Sequence, residues 1–71
     1  MKIINTRRPD EELFVAELWV EDCHFAEVFI QENVPVVQIY PRQDGQWWKI
    51  PVLEIENASS LACKKLKNEL N

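Results

Sequence analysis

One glycine and one histidine occur in 71 residues. With Gly45 alone, a glycine-rich phosphate loop is excluded. With His24 alone, histidine-rich metal centres are excluded, and no set of His, Cys and carboxylates has metal-site spacing. No apolar run approaches the roughly 18 residues of a membrane-spanning helix, so no membrane association is expected. The opening MKIINTRRPDEE has no hydrophobic segment of the secretory type, which points to a cytoplasmic protein. Cys23 and Cys63 form no C-x-x-C pair, and two reduced thiols are expected. Lys and Arg are absent from residues 9–41, which carry Asp10, Glu11, Glu12, Glu17, Glu21, Asp22, Glu27 and Glu32. That stretch has charge −8 within a net charge of −4. An acidic middle repels phosphate and favours a partner with a basic surface.

Apolar residues are plentiful: the hydrophobic fraction is 46%, with three Trp, three Phe and one Tyr. The length fits a single domain over residues 1–71 with a small core. Three β-rich runs follow one another, LFVAELWV (13–20), HFAEVFIQ (24–31) and VPVVQIY (34–40). QWWKI (46–50) reads as a fourth strand, and KII near the start as an edge strand. The tail 51–70 reads as a helix. The expected class is α+β: a three- to five-stranded antiparallel meander sheet with one C-terminal helix packed on one face.

A two-residue Glu32-Asn33 turn would pair Phe29 with Val36, Glu27 with Gln38 and Phe25 with Tyr40. Pro35 then falls in a non-bonded pair, where its missing N–H costs nothing. Ala26, Val28, Val37 and Ile39 would share an apolar face. Phe14, Ala16, Leu18 and Val20 form a second one. A three- or five-residue connection around Asp22-Cys23 would bring these faces together, and a two-residue connection would reverse them. Two helix starts compete. From Pro51, Val52, Ile55, Ser59, Ala62 and Leu66 recur at spacings of 3, 4, 3 and 4, with Ala58 and Leu70 beside them. A later start would cap at Asn57. The longer helix also places Glu54 and Glu56 near its start and Lys64, Lys65 and Lys67 near its end, as the macrodipole favours.

Catalytic signals are poor. Cys23 and His24 are neighbours on a strand and should point to opposite faces unless a bulge intervenes. Glu17 and Glu27 could face each other across strands as an acid/base pair, but exposed sheet carboxylates are the commoner outcome. The aromatic and basic residues of YPRQDGQWWK resemble a nucleic-acid platform, yet only Arg42 and Lys49 are basic there. No catalytic residue, metal or cofactor is therefore expected. The outer sheet face should carry Val15, Trp19, Phe25, Phe29, Val36, Tyr40 and Trp47, with Glu17, Glu27 and Gln38 among them. Rings and charges so arranged suit a recognition surface. A curled sheet or a covering N-terminal segment would instead bury it. In YPRQDGQWWKIP a four-residue Arg42–Gly45 loop keeps Pro41 out of a bonded pair. Trp48 and Ile50 should then face the helix, and Trp47 and Lys49 the solvent.

Ala26-Glu27, then Tyr40, Pro41, Arg42, Asp44, Gly45 and Trp48, then a helix opening at Pro51, resemble small bacterial immunity proteins. These accompany toxins of contact-dependent inhibition and related polymorphic-toxin systems. The resemblance spans residues 13–70 in layout. It implies a non-enzymatic inhibitor that binds a cognate cytosolic toxin, often a nuclease. On that reading Glu17, Glu21, Asp22, Glu27 and Glu32 supply charge, and Trp19, Phe25, Tyr40 and Trp47 supply anchors. The alternative is a structural or regulatory module that forms homodimers through the same aromatic face.

Overall fold

The computed structural model describes residues 1–8 and 13–70, with side chains through residue 68. The chain is α+β. Strands β1 (Lys2–Arg8), β2 (Leu13–Val20), β3 (Cys23–Gln31) and β4 (Val34–Ile39) form one antiparallel sheet in the order of the sequence. Helix α1 (Val52–Leu70) lies on one face. The N-terminal edge strand is longer than the KII segment implied. Asp10, Glu11, Glu12 and the Leu70 side chain lie outside the described residues.

The β3–β4 register is the expected one, from Gln31↔Val34 to Ala26↔Ile39. Glu32 and Asn33 form its turn with φ of 51° and 67°. Positive φ at both central residues is the type I′ geometry that matches strand twist. The Tyr40 N–H donates to the Phe25 carbonyl at 2.9 Å. That bond fixes the parity of the ladder. Val34, Val36, Gln38 and Tyr40 turn their backbone groups to β3, and Pro35 turns its missing donor outward.

The β2–β3 connection combines features that the sequence seemed to make exclusive. Its turn has two residues, Glu21 and Asp22, because Val20 pairs with Cys23. Yet Ala16 pairs with Val28 and Leu18 with Ala26, so the apolar faces do meet. The register shifts between Leu18 and Trp19, which pairs with His24. Phe25 is therefore the extra residue of a β-bulge. The bulge restores the parity that a two-residue turn would have reversed.

Ala16, Leu18, Phe25, Ala26 and Val28 of the sheet and Ala58, Ala62 and Leu66 of the helix make up the core. The two helix alanines allow close approach to the sheet. The Pro51 carbonyl accepts from the N–H groups of Glu54 (3.0 Å) and Ile55 (3.2 Å), so the helix follows the longer reading. Pro51 occupies the capping position, where no donor is required of it. The helix packs on β2, β3 and β1 and leaves β4 uncovered. Val37 and Ile39 lie on the expected face but stay 51% and 57% exposed. Val52, assigned to the buried stripe, is 69% exposed.

Residues 46–50 do not form a strand. Arg42–Gly45 closes as a turn, with the Gly45 N–H donating to the Arg42 carbonyl at 3.1 Å and Gly45 at a φ of 76°. The chain then crosses towards the helix instead of lying along β4. Trp48 and Ile50 pack against the core, and Trp47 and Lys49 face solvent, as expected. The Trp48 indole donates to the Tyr40 carbonyl at 2.8 Å. A side-chain bond thus holds the segment where a strand ladder was expected.

These burials predict a contrast. Leu18→Ala should lower the unfolding free energy by about 3 kcal/mol, since Leu18 is wholly enclosed. Val52→Ala should change it by less than about 0.5 kcal/mol. Urea denaturation of both variants checks this.

Candidate functional site

The bulge decides what the outer face presents. Phe25 turns inward and is only 4% exposed. Its ring meets Trp48 edge-on, with centroids 5.1 Å apart and planes at 74°. The expected outward anchor is thus a core residue, because the extra residue reverses its facing. His24 takes the vacated place. It stacks on Trp19 (4.8 Å, 6°) and meets Tyr40 at a tilt (4.8 Å, 51°). Three rings from three successive stretches of the chain form one row.

A cleft of about 680 Å³ opens beside this row. Trp19, His24, Tyr40 and Trp48 supply its aromatic lining, and Asp22, Arg42 and Asp44 its charges. Glu21 and Asp22 are exposed at the adjoining turn, where Glu21 takes a φ of 55°. Glu17 stands behind the row and accepts from the Trp19 indole at 3.3 Å. A second cleft, of about 450 Å³, contains Ile39 and Trp47 and shares Tyr40, Pro41, Arg42 and Trp48 with the first.

Glu27 is the second correction. It was expected as an exposed charge, but it is 1% exposed and paired with Arg8. The Arg8 guanidinium also lies 3.5 Å from the Tyr40 hydroxyl. Glu27 does face Glu17 across β2 and β3. Two carboxylates so placed repel unless one is compensated, and Arg8 compensates the inner one. Val15, also expected outside, is buried.

The nine sequence-derived contact residues therefore separate. Trp19, Asp22 and Tyr40 line the larger cleft, with Glu17 and Glu21 beside it. Trp47 belongs to the smaller cleft. Glu32 lies at the β3–β4 turn, the opposite end of β3 from Asp22. Phe25 and Glu27 are internal. His24 and Arg42 join the site, although neither is among the nine. His24 falls opposite Trp19 because the Glu21-Asp22 turn has two residues, one of the connections the sequence left open.

Cys23 and His24 pair with successive residues, Val20 and Trp19, so the bulge after them leaves them on opposite sides. The His24 Nε2 is buried without a hydrogen-bond partner among the described residues. Its ring lies between those of Trp19 and Tyr40. Both cysteines are free. Among the described residues no group of three metal-ligating side chains comes together, and no helix is long and apolar enough to cross a membrane.

At the cleft, the Gln46 N–H donates to Asp44 at 2.9 Å and holds its carboxyl below the ordinary carboxylate range. Arg42, whose Nε donates to the same carboxylate at 2.9 Å, acts in the same direction. Its cation also sits 5.4 Å from the Trp48 ring. The loop is thus tied to the core by one charged residue that touches both. No family model matches the chain, and no curated protein or solved structure matches it either.

Two outcomes are expected. Arg8→Met strands a buried carboxylate. It should cost about 2 kcal/mol, less than the roughly 3–5 kcal/mol of a fully buried pair, because the Arg8 side chain is 41% exposed. Adding Glu27→Leu should recover most of that loss in a double-mutant cycle. In an NMR titration, the Asp44 carboxyl should have its midpoint below 3.8. A carboxylate with a depressed value stabilises its loop above the ordinary value, and that contribution is lost as pH falls through the folded midpoint. The Gln46 amide shift should titrate in step with Asp44.

Proposed function

We propose that this chain is a non-enzymatic binding protein of the immunity type, which neutralises a protein toxin in the cytoplasm. The supporting observation is the ring row Trp19–His24–Tyr40, which lines an open cleft next to the exposed acidic turn Glu21-Asp22. Aromatic anchors in a concave site with charge at the rim are what protein recognition uses. The acidic rim suits a toxin with a basic surface, such as the cleft of a nuclease, and would speed association.

On this reading Trp19 and Tyr40 are the anchors, and Glu21 and Asp22 supply complementary charge with Glu17 behind them. Phe25 and Glu27 act indirectly, by shaping the row and holding β1 against β3. Glu32 is too far along the sheet to share the contact: nine strand residues separate the two turns, on the order of 30 Å.

The test is co-expression with a candidate toxin domain, sought at the C-terminus of a large secreted protein encoded by a neighbouring gene. The chain should restore growth. Glu21→Lys with Asp22→Lys should weaken binding about tenfold or more and flatten its salt dependence. Trp19→Ala should weaken binding with little change in salt dependence. Absence of any complex at low salt would rule the reading out.

A further inference from the structure

The larger cleft already seats one guanidinium, and it is the chain's own. The Arg42 cation lies 5.4 Å from the Trp48 ring, and its Nε donates to Asp44 at 2.9 Å. All three residues line the cleft. An indole face and an aspartate suit a guanidinium, because the ring attracts the planar cation and the carboxylate takes its N–H groups. Arg7 lies over the Phe14 ring at 5.6 Å, a second case of the same contact.

Trp19 and Asp22, another indole and another aspartate, line the same cleft. Among the described residues no cation of the chain is seated on either. The Trp19 ring is held in place: His24 stacks on one face (4.8 Å, 6°), and Glu17 accepts from the indole N–H at 3.3 Å. Among the described residues no ring or cation covers its other face. Lys2 stands opposite Trp19 on β1 but does not line the cleft. Asp22 is exposed at the β2–β3 turn and makes no ion pair among the described residues. Arg42 is matched one for one by Asp44, so the charge left uncompensated in the cleft is that of Asp22, with Glu21 exposed beside it.

We infer that the cleft takes an arginine side chain of the partner protein, its guanidinium seated on the open face of Trp19 and bonded to Asp22. A guanidinium stacks its plane on the indole while its edge reaches the carboxylate. An ammonium is a compact, strongly hydrated charge and cannot do both at once. An anion is opposed by Glu21 and Asp22, and the Arg42 cation that could attract it is already engaged by Asp44. An apolar side chain brings no donor to the Asp22 carboxylate. The cleft, about 680 Å³, accommodates the arginine together with part of the loop that carries it. This inference rests on the reading of the cleft as a protein-binding site only in assigning the arginine to a protein.

An NMR titration of the full chain with N-acetyl-arginine amide, at constant ionic strength, tests it. The Trp19 indole N–H and the Asp22 amide signals should shift saturably, with a dissociation constant on the order of 10 mM. N-acetyl-citrulline amide, which keeps the shape and lacks the charge, should bind at least about threefold more weakly. Asp22→Asn should lower the arginine affinity about threefold and leave that for citrulline nearly unchanged. Glu32→Gln removes the same charge at the far turn and should change neither. Equal binding of arginine and citrulline overturns the inference. So does an Asp22→Asn chain that binds arginine no more weakly than Glu32→Gln does, or the lack of any saturable shift up to about 50 mM. Tighter binding of N-acetyl-lysine amide or N-acetyl-phenylalanine amide assigns the cleft to another side chain and overturns it too. The probes need no toxin, so the two readings fail separately. Arginine binding by a chain that forms no toxin complex removes the toxin reading and leaves the arginine seat. A toxin complex in which the Trp19 and Asp22 signals do not move removes the arginine seat and leaves the toxin reading.

Discussion

One extra residue in β3 governs which way the side chains at the end of the sheet point. Side-chain direction alternates strictly along a strand, so a tight two-residue turn fixes the faces of both strands it joins. The Glu21-Asp22 turn alone would have set the apolar face of β2 against the mixed face of β3. The bulge at Phe25 cancels that mismatch within one residue. Leu18 and Ala26 then share a face under the helix, and Phe25 adds a ring to the core that alternation would have put outside. His24 is left outward, between Trp19 and Tyr40. Core and cleft therefore have the same origin.

Charge follows a similar division. The sequence shows an unbroken acidic middle, but its members behave differently once folded. Glu27 is internal and compensated by Arg8, an edge-strand residue that lies far from it in the chain. Glu21 and Asp22 remain outside at a turn, where two adjacent carboxylates concentrate the field. Arg42 and Asp44 neutralise each other across the loop. Among the described residues of this acidic stretch, exposed charge thus lies at the Glu21-Asp22 turn next to the rings and at Glu32 on the far turn.

Much of the layout could be read from local chemistry. The β3–β4 register followed from a two-residue turn and from the one parity that Pro35 tolerates. The helix start followed from Pro51 and the 3–4 spacing behind it. The split of Trp47 and Trp48 followed from alternation, although no strand is present there. What escaped depends on distant parts of the chain. A bulge has no signature in HFAEVF, because the extra residue is favourable only once Trp48 is there to meet Phe25. The burial of Glu27 needed Arg8 from another strand. The exposure of Val37 and Ile39 follows from the position of the helix over β1–β3, which apolar periodicity alone does not specify.

The three tryptophans occupy three distinct surroundings: Trp19 stacked on an imidazole, Trp48 edge-on to a core phenyl ring, and Trp47 in water. Their indoles are therefore built-in optical reporters of separate parts of the molecule. Emission from Trp48 reports its packing against Phe25, that of Trp19 its stack on His24, and that of Trp47 the wetness of the loop. Single-tryptophan versions of the chain would follow these three regions separately, without any attached dye.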